Sequence, residues 1–220
     1  MNAVGDFERE KRLVAVAASD IVQSGMIVGL GTGSTVGYLL PALAARRLDI
    51  RCVTSSPATE RAARELGIEV EPFTGPDAPV RVDLTIDGAD QVAPSRWLVK
   101  GGGAAHTREK AIAKAAERFV VIVSSNKLVE RLAPPIPVEL LDYGLAATLA
   151  RLGHVRLRDV PRSPDGGVIA DYLDEIDDPV ATAARLSTTT GLIEHGLFAP
   201  DLVSEILVAR GQRVDRITTP

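Results

Sequence analysis

A lysine, three consecutive glycines and a glutamate lie close together in Lys100-Gly101-Gly102-Gly103-Ala104-Ala105-His106-Thr107-Arg108-Glu109-Lys110. Three glycines let a backbone turn sharply and lie close against a ligand, because no Cβ intervenes. The N–H groups at the start of a following helix suit an anion or a developing oxyanion. Lys100 adds a full positive charge, and Glu109 adds a base one or two helical turns in. That set fits removal of a proton next to a carbonyl on a phosphorylated substrate.

Two further segments carry polar groups of the same kind. Gly29-Leu30-Gly31-Thr32-Gly33-Ser34-Thr35 follows an apolar run. It almost spells a dinucleotide fingerprint but has Ser34 where that pattern takes glycine or alanine, and the next strand ends in Val53-Thr54-Ser55 with no acid for a ribose hydroxyl. A lone phosphate is the better ligand, surrounded by N–H groups and the hydroxyls of Thr32, Ser34 and Thr35. The bland alternative is an ordinary strand–helix turn with Ser34 as the cap. Asp87-Gly88-Ala89-Asp90 also follows an apolar strand, and an Asp-Gly turn is usually structural. His106, His154 and His195 are scattered without ligand spacing, so no metal is expected. Taken alone, Glu109 reads best as an exposed first-turn acid favoured by the helix dipole, and Lys11 as a lysine passing the edge of a core.

These elements must be positioned by a larger frame. Asp6–Ser24 is predicted helical, with Val14, Ala17, Ala18 and Ile21 at helical spacing. Strands are predicted at Met26–Leu30, Ile50–Thr54, Ile68–Val70, Leu84–Ile86, Trp97–Val99 and Phe119–Val123. Helices are predicted over Ser34–Arg46, Pro57–Leu66 and Ala105–Glu117. The alternation predicts an α/β fold, a mostly parallel sheet flanked by helices in three Rossmann-like layers, with the chemical motifs at the carboxyl ends of strands. Pro134-Pro135-Ile136-Pro137 breaks the pattern. It marks a main domain of 1–133 plus 199–220 and a small α+β lid of 134–198. In the lid, helices are predicted over Tyr143–Leu152 and Val180–Leu186 and strands over His154–Leu157, Gly167–Ala170 and Ile193–Phe198. Val203–Val208 is a further strand.

Composition narrows the function. The chain has 220 residues, 45% of them hydrophobic, and a formal charge of −4, which argues against general nucleic-acid binding but not against a small phosphate ligand. Cys52 is the only cysteine and sits in a strand-like run, so it is expected to be a buried thiol. The N-terminus does not read as a secretory signal and no apolar run approaches the ~20 residues that span a bilayer, so a cytoplasmic protein is expected.

The motifs occur in a particular order: Gly29 to Thr35, then Ser55-Ser56-Pro57-Ala58-Thr59-Glu60, Asp87 to Asp90, Lys100 to Lys110, and Ser124-Ser125-Asn126-Lys127. Gly191-Leu192-Ile193-Glu194-His195-Gly196-Leu197-Phe198 is the best later match. In this order and spacing the chain closely resembles type A ribose-5-phosphate isomerase, from about Lys11 to the C-terminus. The resemblance implies that Glu109 is the proton-transferring base and that Lys100 and the loop of Gly101, Gly102 and Gly103 stabilise an oxyanion. Asp87 would assist, and Gly88, Ala89 and Asp90 would face the sugar. Thr32, Gly33, Ser34 and Thr35 would hold phosphate, with Lys11 or Lys127. It also implies no cofactor, a sugar phosphate as the small-molecule partner, a final segment that returns to the main sheet, and a homodimer, or alternatively a homotetramer. Some positions depart from the family pattern: His106, Gln91, Leu140-Leu141-Asp142, and the stretch Asp165–Asp171. A non-catalytic sugar-phosphate sensor on the same kind of fold is the alternative. A nucleotide-dependent oxidoreductase is disfavoured by Ser34 and the missing ribose-binding acid.

Overall fold

Residues 3–218 are described by the structure, a computed structural model. In chain order the elements are α1 (Ala3–Ser19), β1 (Ile27–Leu30), α2 (Ser34–Arg46), β2 (Arg51–Thr54), α3 (Pro57–Glu65), β3 (Glu69–Val70), β4 (Val82–Asp87), β5 (Gln91–Val92), β6 (Leu98–Val99), α4 (His106–Ala115) and β7 (Ala116–Ser124). Then come β8 (Ile136–Leu140), α5 (Leu145–Leu152), β9 (Val155–Leu157), β10 (Val168–Tyr172), α6 (Pro179–Ser187), β11 (Leu192–His195), β12 (Leu197–Phe198), β13 (Glu205–Arg210) and β14 (Arg213–Thr218).

The chain divides into two compact units, Met1–Ala89 with Arg108–Lys127 and Asp201–Pro220, and Asp90–Thr107 with Leu128–Pro200. The first contains a seven-stranded sheet of order β14-β13-β7-β4-β1-β2-β3, parallel throughout except for the β13–β14 hairpin. Such a sheet needs apolar cover on both faces, which is why its inner strands β7 and β13 carry the apolar runs Phe119–Val123 and Ile206–Ala209. On one face Val28, Leu30, Cys52, Ile86, Val120, Ile122 and Leu207 pack with Val14 and Ala18 of α1, Leu39 and Leu43 of α2, and Ala63 of α3. Burying each such Val, Leu or Ile contributes about 1.5–3 kcal/mol. On the other, Val53 meets Ile112 of α4. Burial pushes the Cys52 thiol up to about 12, as expected of a core cysteine.

The second unit holds two antiparallel sheets, β11-β8-β10-β9 and β12-β6-β5. Val138, Leu140, Ala170, Tyr172, Leu152 and Leu186 share its core with Trp97, Val99 and Leu197. The sequence boundary at residue 134 therefore differs from the division by contacts. Residues 90–107 group with the second unit, because β5 and β6 pair with β12 and Val92 bridges Leu128.

Other expectations shift for local reasons. The helix expected through Glu117 ends at Ala115, and Ala116 already pairs with Val82 of β4. The single strand expected over 193–198 breaks at Gly196, so that β11 and β12 serve different sheets. Pro137, read as part of a break, lies inside β8. It sits where β11 has ended, and its carbonyl accepts from Gly196 N at 2.7 Å, so its missing N–H costs no ladder bond on that side. The C-terminal segment does return to the main sheet, with β13 parallel to β7.

Candidate active site

In the first unit, β1 and β4 run side by side and deliver their following loops to the same sheet edge. Asp87, the last residue of β4, is 1% exposed. Its Oδ1 accepts from Gly88 N at 2.7 Å and from Thr32 N at 3.2 Å. A Cβ on Gly31 would overlap this carboxylate, so only glycine fits there. The Gly31 carbonyl accepts from Thr59 Oγ1 at 2.9 Å, and Ser56 Oγ donates to Thr32 Oγ1 at 3.0 Å. Ser56 also caps α3 by accepting from Thr59 N, with Pro57 pre-set at the first helical turn. Ser56 and Thr59 thus brace the loop; the sequence signal for them was the Ser-Pro-x-Thr helix start.

The cap expected at Ser34 is instead Gly33, with φ 104°, and it makes no side-chain cap bond. Ser34 is the first helical residue and is exposed, while Thr35 is buried. A helix start without a side-chain cap, preceded by a glycine in a conformation other residues avoid, suits an anion.

Lys11 donates to Glu8 Oε1 at 2.6 Å, and Tyr38 of α2 donates to Glu8 Oε2 at the same distance. These two hydrogen bonds hold the Glu8 carboxyl below its usual range. One residue before Lys11, Glu10 is 5% exposed and was not singled out from the sequence. Its Oε2 accepts from Ser125 N and Oγ at 2.8 and 2.7 Å, and its Oε1 from Gly211 N at 2.7 Å. Glu10 therefore fixes the 3-10 turn Ser125–Lys127 that carries Lys127. Glu109 lies in the first turn of α4 but is 4% exposed, and Lys110 is 5% exposed. The surface-acid reading of Glu109 fails on burial.

The second unit contains Asp90, Lys100 and the glycine loop. Lys100 is 2% exposed, with Nζ 5.4 Å from the Phe198 ring centroid and its N–H donating to Gly196 O at 2.8 Å. A Cβ on Gly196 would overlap the Lys100 carbonyl. Gly101 has φ 102°, a region that favours glycine, and packs on the buried ring of His106. Gly102 N donates to Asp90 Oδ2 at 2.7 Å, so Asp90 braces the loop. Glu139, 1% exposed, accepts from Thr107 and Ser163. Among the described residues no cluster of three His, Cys, Asp or Glu could hold a metal ion, and no helix is long and apolar enough to cross a membrane.

In the first unit the buried Asp87 ends a strand of a parallel sheet beside a glycine turn, and in the second the buried Lys100 precedes a glycine loop. Buried ionisable groups of this kind on an α/β fold point to the class of enzymes. Comparison with known proteins narrows the class. The sequence profile of ribose 5-phosphate isomerase A (phosphoriboisomerase A) matches residues 51–213. Ribose-5-phosphate isomerase A of Caulobacter sp. (strain K31) is 44% identical over 94% of this chain and 97% of its own length. That of Chloroflexus aurantiacus is 40% identical over 96% and 94%. Among solved structures, the Methanocaldococcus jannaschii ribose 5-phosphate isomerase A aligns with a TM-score of 0.88 at 31% identity, covering 96% of this chain and 99% of its own. A D-ribose-5-phosphate isomerase in complex with phospho-erythronic acid aligns with a TM-score of 0.89 at 32% identity over the whole of both chains. The chain belongs to the ribose 5-phosphate isomerase A family.

Proposed function

We propose that this chain interconverts D-ribose 5-phosphate and D-ribulose 5-phosphate through a cis-enediolate, within the non-oxidative pentose phosphate pathway. Family membership carries the reading of the reaction. For the residue roles, the supporting observation is that Glu109, Lys100 and Asp87 are all at least 96% buried although each is ionisable. Groups of that kind are costly to bury and are retained where chemistry uses them.

The open-chain aldose phosphate is held by the start of α2, with the hydroxyls of Thr32, Ser34 and Thr35 and the charge of Lys127 or Lys11. Glu109 takes the proton from C2 and returns it to C1. Lys100 neutralises the enediolate oxygen, with the amides of Gly101 and Gly103. The Gly102 amide is engaged by Asp90, so it contributes by holding the loop. Asp87, with Gly88 and Ala89, contacts the sugar oxygens and assists proton exchange between O1 and O2. A positioned base contributes about 10²–10⁴-fold, and oxyanion stabilisation must supply much of the rest. The sensor alternative is not favoured: the relatives that match over most of both chains are isomerases.

Glu109→Gln tests the assignment. It keeps shape but cannot accept the C2 proton. We expect kcat to fall at least ~10²-fold, exchange of the C2 proton with solvent deuterium to stop, and affinity for phospho-erythronic acid to change little. Near-normal turnover in the folded variant removes Glu109 as the base and makes Asp87 the next candidate. The reaction needs no cofactor, so exhaustive chelation should leave activity intact; loss on chelation that a divalent ion restores refutes this. The protein works in the cytoplasm as a homodimer or homotetramer. Light scattering checks the assembly, and a monomer at working concentration refutes it.

A further inference from the structure

The glycine loop is held by groups outside the sequence motif that contains it. Arg158, on the turn after β9, has a side chain only 16% exposed. Its Nη1 donates to Gly101 O at 2.9 Å and to Gly102 O at 3.3 Å. Its Nε and Nη2 grip Asp171 Oδ1 of β10 at 2.8 and 2.7 Å. Asp171, 7% exposed at its side chain, uses Oδ2 for Arg156 Nη2 at 3.2 Å. One guanidinium thus serves a carboxylate with one edge and two successive carbonyls with the other. Only an arginine has a rigid fork able to do this.

The peptide unit between Gly101 and Gly102 is clamped at both ends. Its carbonyl meets the Arg158 cation, and its N–H meets the Asp90 anion at 2.7 Å. The carbonyl also closes the turn by accepting from Ala104 N at 3.0 Å. A Cβ on Gly102 would sit 2.8 Å from the Asp90 carboxylate, so a larger residue would have to displace that carboxylate. Glycine peptides are otherwise free to flip, because many φ/ψ combinations are open to them. Hydrogen bonds to charged partners at both ends fix one plane. They also polarise the following peptides, strengthening their N–H groups as donors.

We propose that Arg158, anchored by Asp171, is a positioning residue for the isomerase reaction: it holds the glycine loop after Lys100 in its oxyanion-stabilising conformation. The inference rests on the isomerase reading. The phosphate is assigned to other residues, so loss of Arg158 should act on the chemical step and spare substrate binding.

The test uses the full chain with Arg158→Ala, Arg158→Lys and Asp171→Asn. Each is assayed for kcat and KM on ribose 5-phosphate per folded molecule, with the folded fraction taken from thermal unfolding. For Arg158→Ala we expect kcat to fall about 10²-fold, the scale of a ~1 Å misplacement of a reacting group. KM should stay within about twofold, and millimolar guanidinium ion should restore part of kcat. Arg158→Lys, which keeps the charge but not the fork, should recover only part of the loss, and Asp171→Asn should lower kcat without any direct contact to the loop. If Arg158→Ala does not fold, Arg158→Lys decides: full kcat overturns the proposal, and reduced kcat at an unchanged melting temperature supports it. An Arg158→Ala protein with normal kcat, or with a raised KM alone, also overturns it. Activity of the unaltered protein tests the isomerase reading separately, since its absence would sink that reading whatever the variants do.

Discussion

Replacing Gly31 by alanine should be one of the more damaging single-methyl changes available in this chain. The new Cβ would overlap the Asp87 carboxylate, and the backbone cannot easily retreat. Gly31 N donates to Ile86 O at 3.0 Å, and its carbonyl is held by Thr59. Asp87 must therefore turn away and loosen its bonds from Thr32 N and Gly88 N. Each hydrogen bond to a charged group is worth about 1.5–3 kcal/mol, and overpacking adds about 1–3 kcal/mol. Partial relaxation leaves a loss of roughly 3–5 kcal/mol. At about 2–4 °C per kcal/mol for a chain of this size, the melting temperature should drop by roughly 6–20 °C. Thermal unfolding followed by circular dichroism measures this, with kcat taken on the protein that remains folded. Gly37→Ala is the control: it lies within α2 with nothing near its added Cβ, and should be neutral or slightly stabilising. A Gly31→Ala protein that melts within about 2 °C of the parent and turns over normally would refute the view that Asp87 is locked by its neighbours.

Two further outcomes follow from the same geometry. Ser34→Ala combined with Thr35→Ala should mainly raise KM for ribose 5-phosphate while kcat changes little; an unchanged KM in the folded double variant would remove the start of α2 from the phosphate site. Glu10 is held below its ordinary range: burial, the largest influence, pushes the other way, but bonds from Gly211 N and from Ser125 N and Oγ together outweigh it. Its stabilising effect is therefore complete above the unfolded-state value and fades as pH falls through the folded value. Glu10→Gln should cost about 1–3 kcal/mol at neutral pH and flatten the loss of stability on acidification, as read from melting temperatures between pH 6 and pH 3. A variant with the parent's full acid sensitivity would show that Glu10 is not the responsible carboxylate.

Period and punctuation made the first unit legible. Runs such as Val120-Val121-Ile122-Val123 permit little besides a buried strand, and Ser56-Pro57 announces a helix start. Asp87, Lys100 and Glu109 stood out through their glycine neighbours. Burial did not follow from residue type: Glu109 on its own reads as a surface acid, and only tertiary packing hides it. The second unit was harder because its strands are short and its pairings distant. Pro137 looked like a breaker, yet it is tolerated where β11 stops and Gly196 takes over. Arg158 carries no local signal, since the glycine loop it serves lies more than fifty residues away in the chain.

The place of β13 in the main sheet has a consequence for how the protein is made. β7 is complete once Ser124 has been synthesised, but the strand that covers its open edge begins at Glu205. At about 5–20 residues per second, a ribosome needs roughly 4–16 s to bridge that gap. Throughout that interval the nascent chain presents Phe119-Val120-Val121-Ile122-Val123, an apolar strand with one unpaired side. Such an edge is a template for pairing with other chains. The order of this sheet thus makes vectorial synthesis the period of greatest aggregation risk, and gives chaperones that mask exposed strands a defined segment to guard.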